Sequence, residues 1–162
     1  THGNLAVIRQ AVKLAAPVDA WLHAGDHGQD AAFLENLTNV PVHAVCGNTD
    51  LPHGRKKPDE FIELGETLIW LTHGHRQHVR NGLGELQFWA RHYGATIVVF
   101  GHTHEPLIER VDGKLFINPG SAARPRGGSA PSFVVLTLTE EALEPQVQLC
   151  RLDTRECFLY NL

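Results

Sequence analysis

Four apolar, strand-like segments of this chain each lead to a side chain that can bind a metal ion. The segments lead to Asp26, Asn48, His73 and His102, and His104 follows two residues after His102. In open α/β sheets, ligands collect in the crevice beyond the carboxyl ends of the strands. If these strands are parallel neighbours, all five side chains converge there. A glycine before Asp26, Asn48 and His102 lets the backbone turn sharply at this edge.

The chemistry of this set favours a transition metal. A single histidine or Gly-Asp pair is usually a surface residue or a turn, but here the arrangement recurs at successive strand ends. Imidazoles, one carboxylate and one amide oxygen suit manganese, iron or zinc better than calcium or magnesium. Two such metals, roughly 3.5–4 Å apart, would clamp the attacking and leaving oxygens of a phosphoryl displacement. One carboxylate must bridge them, and Asp26 is the natural choice.

The order of the predicted elements indicates an α/β fold with two sheets. Alternating strands and helices come first, and strands in series follow, which predicts an α/β core packed on a second, largely antiparallel sheet. No linker or repeat divides the chain, so we expect a single domain over residues 1–162. Helices are predicted at 4–16, 30–37 and 86–93, and strands at 20–24, 40–46, 61–64, 67–71, 96–100, 107–111, 114–117, 133–139, 147–152 and 158–162.

Charge and cysteine content exclude several classes of protein. The net charge of −4 gives no reason to expect a strong nucleic-acid or membrane-surface patch. Arg55-Lys56-Lys57 is a basic run too short for a phosphate track, and we interpret it as a solvated loop. No apolar run reaches 18 residues, so no membrane span is expected. The three cysteines form no CxxC pair, which makes a disulfide improbable and predicts a reducing, cytoplasmic location.

The ordered motifs resemble those of calcineurin-like metallophosphoesterases. The matching segments are Gly25-Asp26, Gly47-Asn48, His73-Gly74-His75 and Gly101-His102-Thr103-His104. Asn118–Ser121 followed by Pro125-Arg126 resembles the branch of small prokaryotic phosphodiesterases, to which the retromer scaffold subunit is related. This resemblance implies two packed mixed β-sheets flanked by helices, a four-layer αββα sandwich.

The resemblance also implies a full set of metal ligands. The family's first motif is Asp-x-His, and Thr1-His2 supplies only its last two positions. One metal would be held by an Asp before Thr1 and by His2, Asp26 and His104. The other would be held by Asp26, Asn48, His73 and His102. We therefore expect that the first strand and its Asp are missing from the chain as given. Manganese is the first expectation for both ions, with iron, zinc or nickel as alternatives.

The activity implied is hydrolysis of a small phosphodiester by a hydroxide that bridges two metals. Asn48 and His75 are the candidate catalytic residues, and His75 and Arg126 the candidate substrate contacts. Thr49 stands where relatives carry a proton donor and is a poor acid, so His75 or water would protonate the leaving group. A structural role is as plausible for His75 and for the loop that carries Arg126. Asp50 would either orient a histidine or stabilise a turn.

Two other functions remain open at this stage. The chain could be a protein-binding scaffold with a degraded metal site, although such a scaffold should have lost several ligands. It could also be a phosphomonoesterase, which we expect to carry more cationic groups. The Pro/Gly-rich loop 119–131 is interpreted as functional, and with the C-terminal strands it could support a homodimer.

Overall fold

The computed structural model describes residues 1–15, 17–50, 57–139 and 144–162. The Arg55-Lys56 part of the basic run therefore lies outside the described residues. The helices are α1 (Leu5–Leu14), α2 (Gln29–Thr38) and α3 (Gly84–Tyr93), with 3-10 turns at His75–Gln77 and Val79–Asn81. The strands are β1 (Trp21–His23), β2 (Val42–Ala44), β3 (Asp59–Leu64), β4 (Thr67–Thr72), β5 (Ile97–Val99), β6 (Pro106–Val111), β7 (Lys114–Pro119), β8 (Ser132–Thr137), β9 (Gln146–Arg151) and β10 (Glu156–Tyr160).

Local signals explain where the helices begin and end. Helix α1 begins after Asn4, whose side-chain oxygen accepts a hydrogen bond from the backbone N–H of Val7 at 3.2 Å. Helix α3 ends at Gly94 in the left-handed conformation, as predicted. Helix α2, predicted to begin at residue 30, begins at Gln29, and the Asp30 carboxylate accepts a hydrogen bond from the Gly3 N–H at 2.9 Å.

The strands form three hydrogen-bonded sheets among the described residues. A five-stranded sheet has the order β3-β4-β5-β7-β6, in which β4, β5 and β7 are parallel and the outer strands antiparallel. Strands β1 and β2 form a parallel pair, and β8, β9 and β10 an antiparallel sheet. The condition that the four ligand-bearing strands are all parallel neighbours is therefore not met. They are two parallel pairs, β1–β2 and β4–β5, in separate sheets.

The five-stranded sheet is buried on both faces. Along β4, Ile69 and Leu71 pack in one cluster with Val45, which follows β2, and with Val147 of β9, whereas Trp70 faces the opposite side. There, Trp70 packs in a cluster that includes Leu86 of α3. This alternation is the period of a strand, and it places sheets between helices. Helices α1 and α2 contact each other and α2 packs on β2, so helices flank mixed sheets in four layers, as the resemblance implied.

The cysteine prediction is wrong. Cys150 and Cys157 form a disulfide, and Cys46 is free. The two bonded residues lie directly opposite each other on β9 and β10. Strand register, which cysteine spacing does not reveal, brings the sulfur atoms together. The cysteine count thus no longer supports a reducing compartment. Within the described ranges, no helix is long and apolar enough to span a bilayer.

Candidate metal centre

The loops after the strand ends hold their ligands in an uncommon backbone conformation. Asp26, His102 and His104 have φ angles of 73°, 69° and 65°, and His2 has a φ of 50°. Positive φ is uncommon outside glycine, and such residues cluster at functional sites because the surrounding structure must enforce the conformation. Four of the six predicted metal ligands share this feature, which the sequence does not show.

The glycines of the first two motifs allow the loops to touch. A Cβ atom added to Gly25 would lie 2.7 Å from the Gly47 nitrogen and 2.8 Å from Nδ1 of His73. A Cβ on Gly47 would lie 2.5 Å from the Asp26 nitrogen. Glycine is therefore required on both sides of this approach between the ends of β1 and β2, and at Gly25 it also leaves room for His73 at the end of β4.

One group of donor atoms surrounds His73, and we call it the His73 position. Nε2 of His73 lies 3.3 Å from Oδ1 of Asp26 and 3.1 Å from Oδ1 of Asn48. Nδ1 of His102 lies 3.3 Å from the same nitrogen. The structure thus brings Asp26, Asn48 and His102, the other three residues predicted for one metal, within 3.3 Å of Nε2 of His73.

A second group surrounds His104, and we call it the His104 position. Nε2 of His104 lies 3.1 Å from Oδ2 of Asp26 and 3.2 Å from Nε2 of His2. Donor atoms of these three residues lie within 4.8 Å of one another. The two oxygens of the Asp26 carboxylate therefore face different positions, which is the geometry of a bridging ligand.

The buried hydrogen bonds fix both rings so that they suit a cation. Nδ1 of His73 donates to the Ala24 carbonyl at 2.6 Å, and Nδ1 of His104 donates to the Arg124 carbonyl at 2.9 Å. Each Nε2 then faces a carboxylate oxygen. Two electron-rich atoms at this separation repel unless a proton or a cation lies between them. Metal-binding histidines commonly donate their second N–H in this way, so these residues fit divalent ions.

Electrostatics hold the ligands in their metal-binding forms. Burial lowers the pKa of His2 and of His102 to about 4, and neighbouring positive charges add to the effect. For Asp26, burial is the largest influence and raises its pKa. The His104 hydrogen bond, the nearby His73 and the Thr49 hydroxyl together outweigh it, and the pKa falls to about 2. At neutral pH, therefore, the His2 and His102 imidazoles are neutral and Asp26 is an ionised carboxylate.

Thr49 and Asp50, which follow Asn48, stabilise the loop that contains Asp26 through hydrogen bonds. The Thr49 hydroxyl donates to Oδ1 of Asp26 at 2.9 Å. The Asp50 carboxylate accepts from the backbone N–H groups of Asp26, Gly28 and Gly47 at 3.1, 2.7 and 2.7 Å. Asp50 therefore stabilises the turns at Asp26 and Gly47, which is one of the two roles predicted for it. Thr49, predicted to be a poor acid, orients the Asp26 carboxylate.

The metal positions open into a cleft of about 370 Å³. Its lining residues are His2, Asp26, His27, Asn48, Thr49, Arg80, His102, His104, Arg124 and Arg126. Arg126, the predicted substrate contact, therefore lies in the cleft lining, and its role stays a prediction. Sequence reasoning missed Arg80 and Arg124, because an exposed arginine in a loop carries no motif that assigns it to a site.

His75 is not among the residues that line the cleft. Its ring centroid is 5.2 Å from that of His73 and 6.1 Å from that of His102. The chain turns directly after His73, because Gly74 has a φ of 93° and His75 begins a 3-10 turn. Burial lowers the pKa of His75, and its buried Nδ1 has no hydrogen-bond partner in the described part of the chain.

The Asn118–Ser121 segment packs against the loop that carries His102 and His104. The Asn118 side chain donates to the Gly101 carbonyl at 3.0 Å and to the Thr103 hydroxyl at 2.9 Å. The Gly120 N–H donates back to Oδ1 of Asn118 at 3.0 Å. The segment therefore fixes the loop that carries His102 and His104.

Several curated proteins are similar in sequence to most of this chain. The chain is 32% identical over 131 residues to a probable metallophosphoesterase of Methanothermobacter thermautotrophicus, covering 80% of this chain and 75% of the relative. It is 32% identical over 137 residues to phosphodiesterase MJ0936 of Methanocaldococcus jannaschii, covering 74% and 78%. It is 34% identical over 152 residues to vacuolar protein sorting-associated protein 29 of Schizosaccharomyces pombe, covering 83% and 81%.

Solved structures share the fold. A predicted phosphoesterase from Streptococcus pneumoniae aligns with a TM-score of 0.79 at 27% identity, covering 98% of this chain and 87% of that one. Wild-type Vps29 complexed with zinc, from Entamoeba histolytica, aligns with a TM-score of 0.78 at 25% identity, covering 93% and 86%. The family model of the calcineurin-like phosphoesterase superfamily domain matches residues 1–141. The chain belongs to the calcineurin-like phosphoesterase superfamily.

Proposed function

We propose that this protein is a phosphodiesterase that uses two divalent metal ions. The observation that carries the proposal is the placement of the Asp26 carboxylate. Its Oδ1 lies 3.3 Å from Nε2 of His73, and its Oδ2 lies 3.1 Å from Nε2 of His104. One carboxylate shared between two groups of nitrogen donors is the arrangement that a pair of adjacent ions requires.

The mixed nitrogen and oxygen donor set suits manganese, iron or zinc, and we propose manganese as the metal. Asn48, His73 and His102 would hold one ion and His2 and His104 the other, with Asp26 shared. When bound, such ions lower the pKa of a water molecule and neutralise the charge that develops on a phosphoryl group. Zinc is the alternative, since a Vps29 structure of the same fold was solved with it.

The protein's own groups would position the substrate. Arg126 lines the cleft, and its guanidinium would donate paired hydrogen bonds to phosphate oxygens. With Oδ1 of Asn48 on the metal, its Nδ2 remains a donor for a substrate oxygen. His75 does not line the cleft, so we propose that it positions the neighbouring His73 and His102 rings. Solvent in the open cleft would then protonate the leaving alkoxide.

The name of phosphodiesterase MJ0936 supports diesters as the substrate class. A second candidate, a non-catalytic scaffold, is favoured by the relative named for vacuolar protein sorting. The donor atoms weigh against it. A protein that had lost its metal chemistry would have no reason to keep the His73 position buried and fixed by a backbone hydrogen bond.

The test measures metal content and hydrolysis together. Purified protein, expressed with any sequence that precedes Thr1, should retain close to two manganese ions per chain and hydrolyse bis(p-nitrophenyl) phosphate faster than p-nitrophenyl phosphate. His102→Ala should lose one ion and most of the activity. The matched control is His92→Ala, an exposed histidine on α3 outside the cleft, which should behave as wild type. Wild-type protein that binds no metal, or binds two ions without hydrolysing any diester, would overturn the proposal in favour of the scaffold.

A further inference from the structure

The cleft concentrates positive charge in a protein whose net charge is −4. Arg80, Arg124 and Arg126 line it, whereas Asp26 is the one carboxylate among its lining residues in the described part of the chain. Two divalent ions would raise this excess further. A simple phosphodiester carries one negative charge, so its own charge does not explain three additional guanidinium groups.

These arginines also differ from others in the molecule. Arg76, Arg91 and Arg151 each pair with a carboxylate at 3.1, 3.1 and 2.8 Å, and Arg110 pairs with Glu144. Among the described residues, no ion pair joins a cleft arginine to a carboxylate. Guanidinium groups that lack an internal partner and face a cleft are available to an anionic ligand.

The backbone places the arginines on both sides of the metal centre. Arg80 lies in the 3-10 turn Val79–Asn81, on the side of His102. Arg124 and Arg126 lie beside His104. The Arg124 carbonyl accepts from the His104 ring, and the Arg126 N–H donates to the His104 carbonyl at 3.2 Å. The loop that carries the latter two arginines is therefore fixed to a metal ligand.

Resting on the proposed function, we propose that Arg80, Arg124 and Arg126 form a subsite for a further phosphate of the substrate. The preferred substrate is then a diester that carries a terminal phosphate near the scissile one, such as a 5′-phosphorylated dinucleotide. Hydrolysis breaks one P–O bond of the internal diester. Water supplies the new oxygen on phosphorus and the proton on the leaving alkoxide, so no other reactant is needed.

The test compares two diesters that differ only in the terminal phosphate, pTpT and TpT. One charge-assisted contact is worth about tenfold in affinity, so wild type should show kcat/KM for pTpT at least about tenfold above that for TpT. Arg80→Gln, Arg124→Gln and Arg126→Gln should each reduce this ratio, mainly by raising KM for pTpT. Arg91→Gln, which removes an arginine paired with Asp112 outside the cleft, should leave the ratio unchanged.

Equal rates for the two diesters in wild type, or an equal loss for both in every variant, would overturn the subsite. Faster hydrolysis of thymidine 5′-monophosphate than of pTpT would also overturn it, since the arginines would then serve the scissile group of a monoester. Calorimetric binding separates this proposal from the previous one. If wild type hydrolyses no diester, the diesterase proposal fails. Tighter binding of pTpT than of TpT, lost when the cleft arginines are replaced, would then still support the subsite. Equal binding of the two diesters would overturn the subsite as well.

Discussion

The two metal positions share Asp26 and each contain two histidines, but they are held with different rigidity. His73 is 1% exposed, follows directly after β4, and donates Nδ1–H to a buried carbonyl. At the other position, His104 is held in the same manner, but His2 is half-buried and lies in the loop before α1. The described contacts of the His2 side chain are with the His104 ring, at 3.2 Å between nitrogens.

This difference indicates how the fold divides the task of binding metal. A ligand fixed by a strand end and a backbone hydrogen bond loses little conformational entropy when an ion binds. A half-buried loop histidine loses more. We therefore expect the His73 position to retain its ion more tightly than the His104 position, with Asp26 common to both.

The largest effect is expected where the two positions meet. Asp26→Asn keeps the shape of the side chain but removes the shared negative charge, so both ions should be lost. The value of kcat/KM should fall by about 10³-fold, as expected when a main electrostatic contact is removed. Metal analysis and diester hydrolysis measure the two effects. Asp112→Asn, a surface residue paired with Arg91, is the control. A variant that keeps two ions would contradict the bridging role.

The next prediction compares the two positions directly. His73→Ala should lower kcat/KM by about 10²-fold or more, and excess manganese should not restore it. His2→Ala should weaken binding of one ion by about tenfold, and excess manganese should restore activity. Manganese titration of activity, with metal content after dialysis, measures both variants. A larger loss of activity in His2→Ala than in His73→Ala, or rescue by excess manganese of His73→Ala alone, would contradict this. Rigidity would then not decide which ion binds more tightly.

A smaller effect concerns stability rather than metal. Asp50→Asn replaces a carboxylate that accepts three backbone N–H groups across the Asp26 and Gly47 turns. Because an amide has one acceptor oxygen in place of two, the free energy of unfolding should fall by about 2–3 kcal/mol. Urea unfolding of metal-free protein measures this, and Asp112→Asn should leave the midpoint nearly unchanged. A similar midpoint for both variants would mean that the two turns do not depend on Asp50.

The smallest expected effect is at Thr49. Thr49→Val removes the hydroxyl that donates to Oδ1 of Asp26, and manganese affinity should fall by about tenfold. Thr49→Ser keeps the donor and should restore binding. Thr38→Val, whose hydroxyl donates to a helix carbonyl of α2, controls for the substitution itself. If Thr49→Ser bound manganese as weakly as Thr49→Val, the methyl group rather than the hydroxyl would matter.

The sequence predicted the six donor residues because their motifs are local. Strand residues followed by glycine and then Asp26, Asn48 or His102 can be recognised without knowing the partner strands. The sequence did not predict the sheet order, in which β1–β2 and β4–β5 are separate parallel pairs. Pairing depends on which apolar faces pack together, and several arrangements bury the same residues.

Other features depended on contacts between distant segments. His75 was predicted to contact substrate, whereas the left-handed Gly74 begins a turn there and His75 is not among the residues that line the cleft. The disulfide between Cys150 and Cys157 follows from strand register, and the Asp30 carboxylate accepts a hydrogen bond from Gly3. Each of these features was missed because a residue was treated within its own segment.

The sequence by itself therefore determined which atoms can bind metal, because ligand chemistry belongs to residue types and their place after a strand. Only the tertiary structure decided that Asp26 divides its two oxygens between His73 and His104. It also decided that three arginines without carboxylate partners in the described residues share the cleft with that carboxylate. The physical reason is that distances below 4 Å between segments up to 102 residues apart are set by packing, which no local pattern encodes.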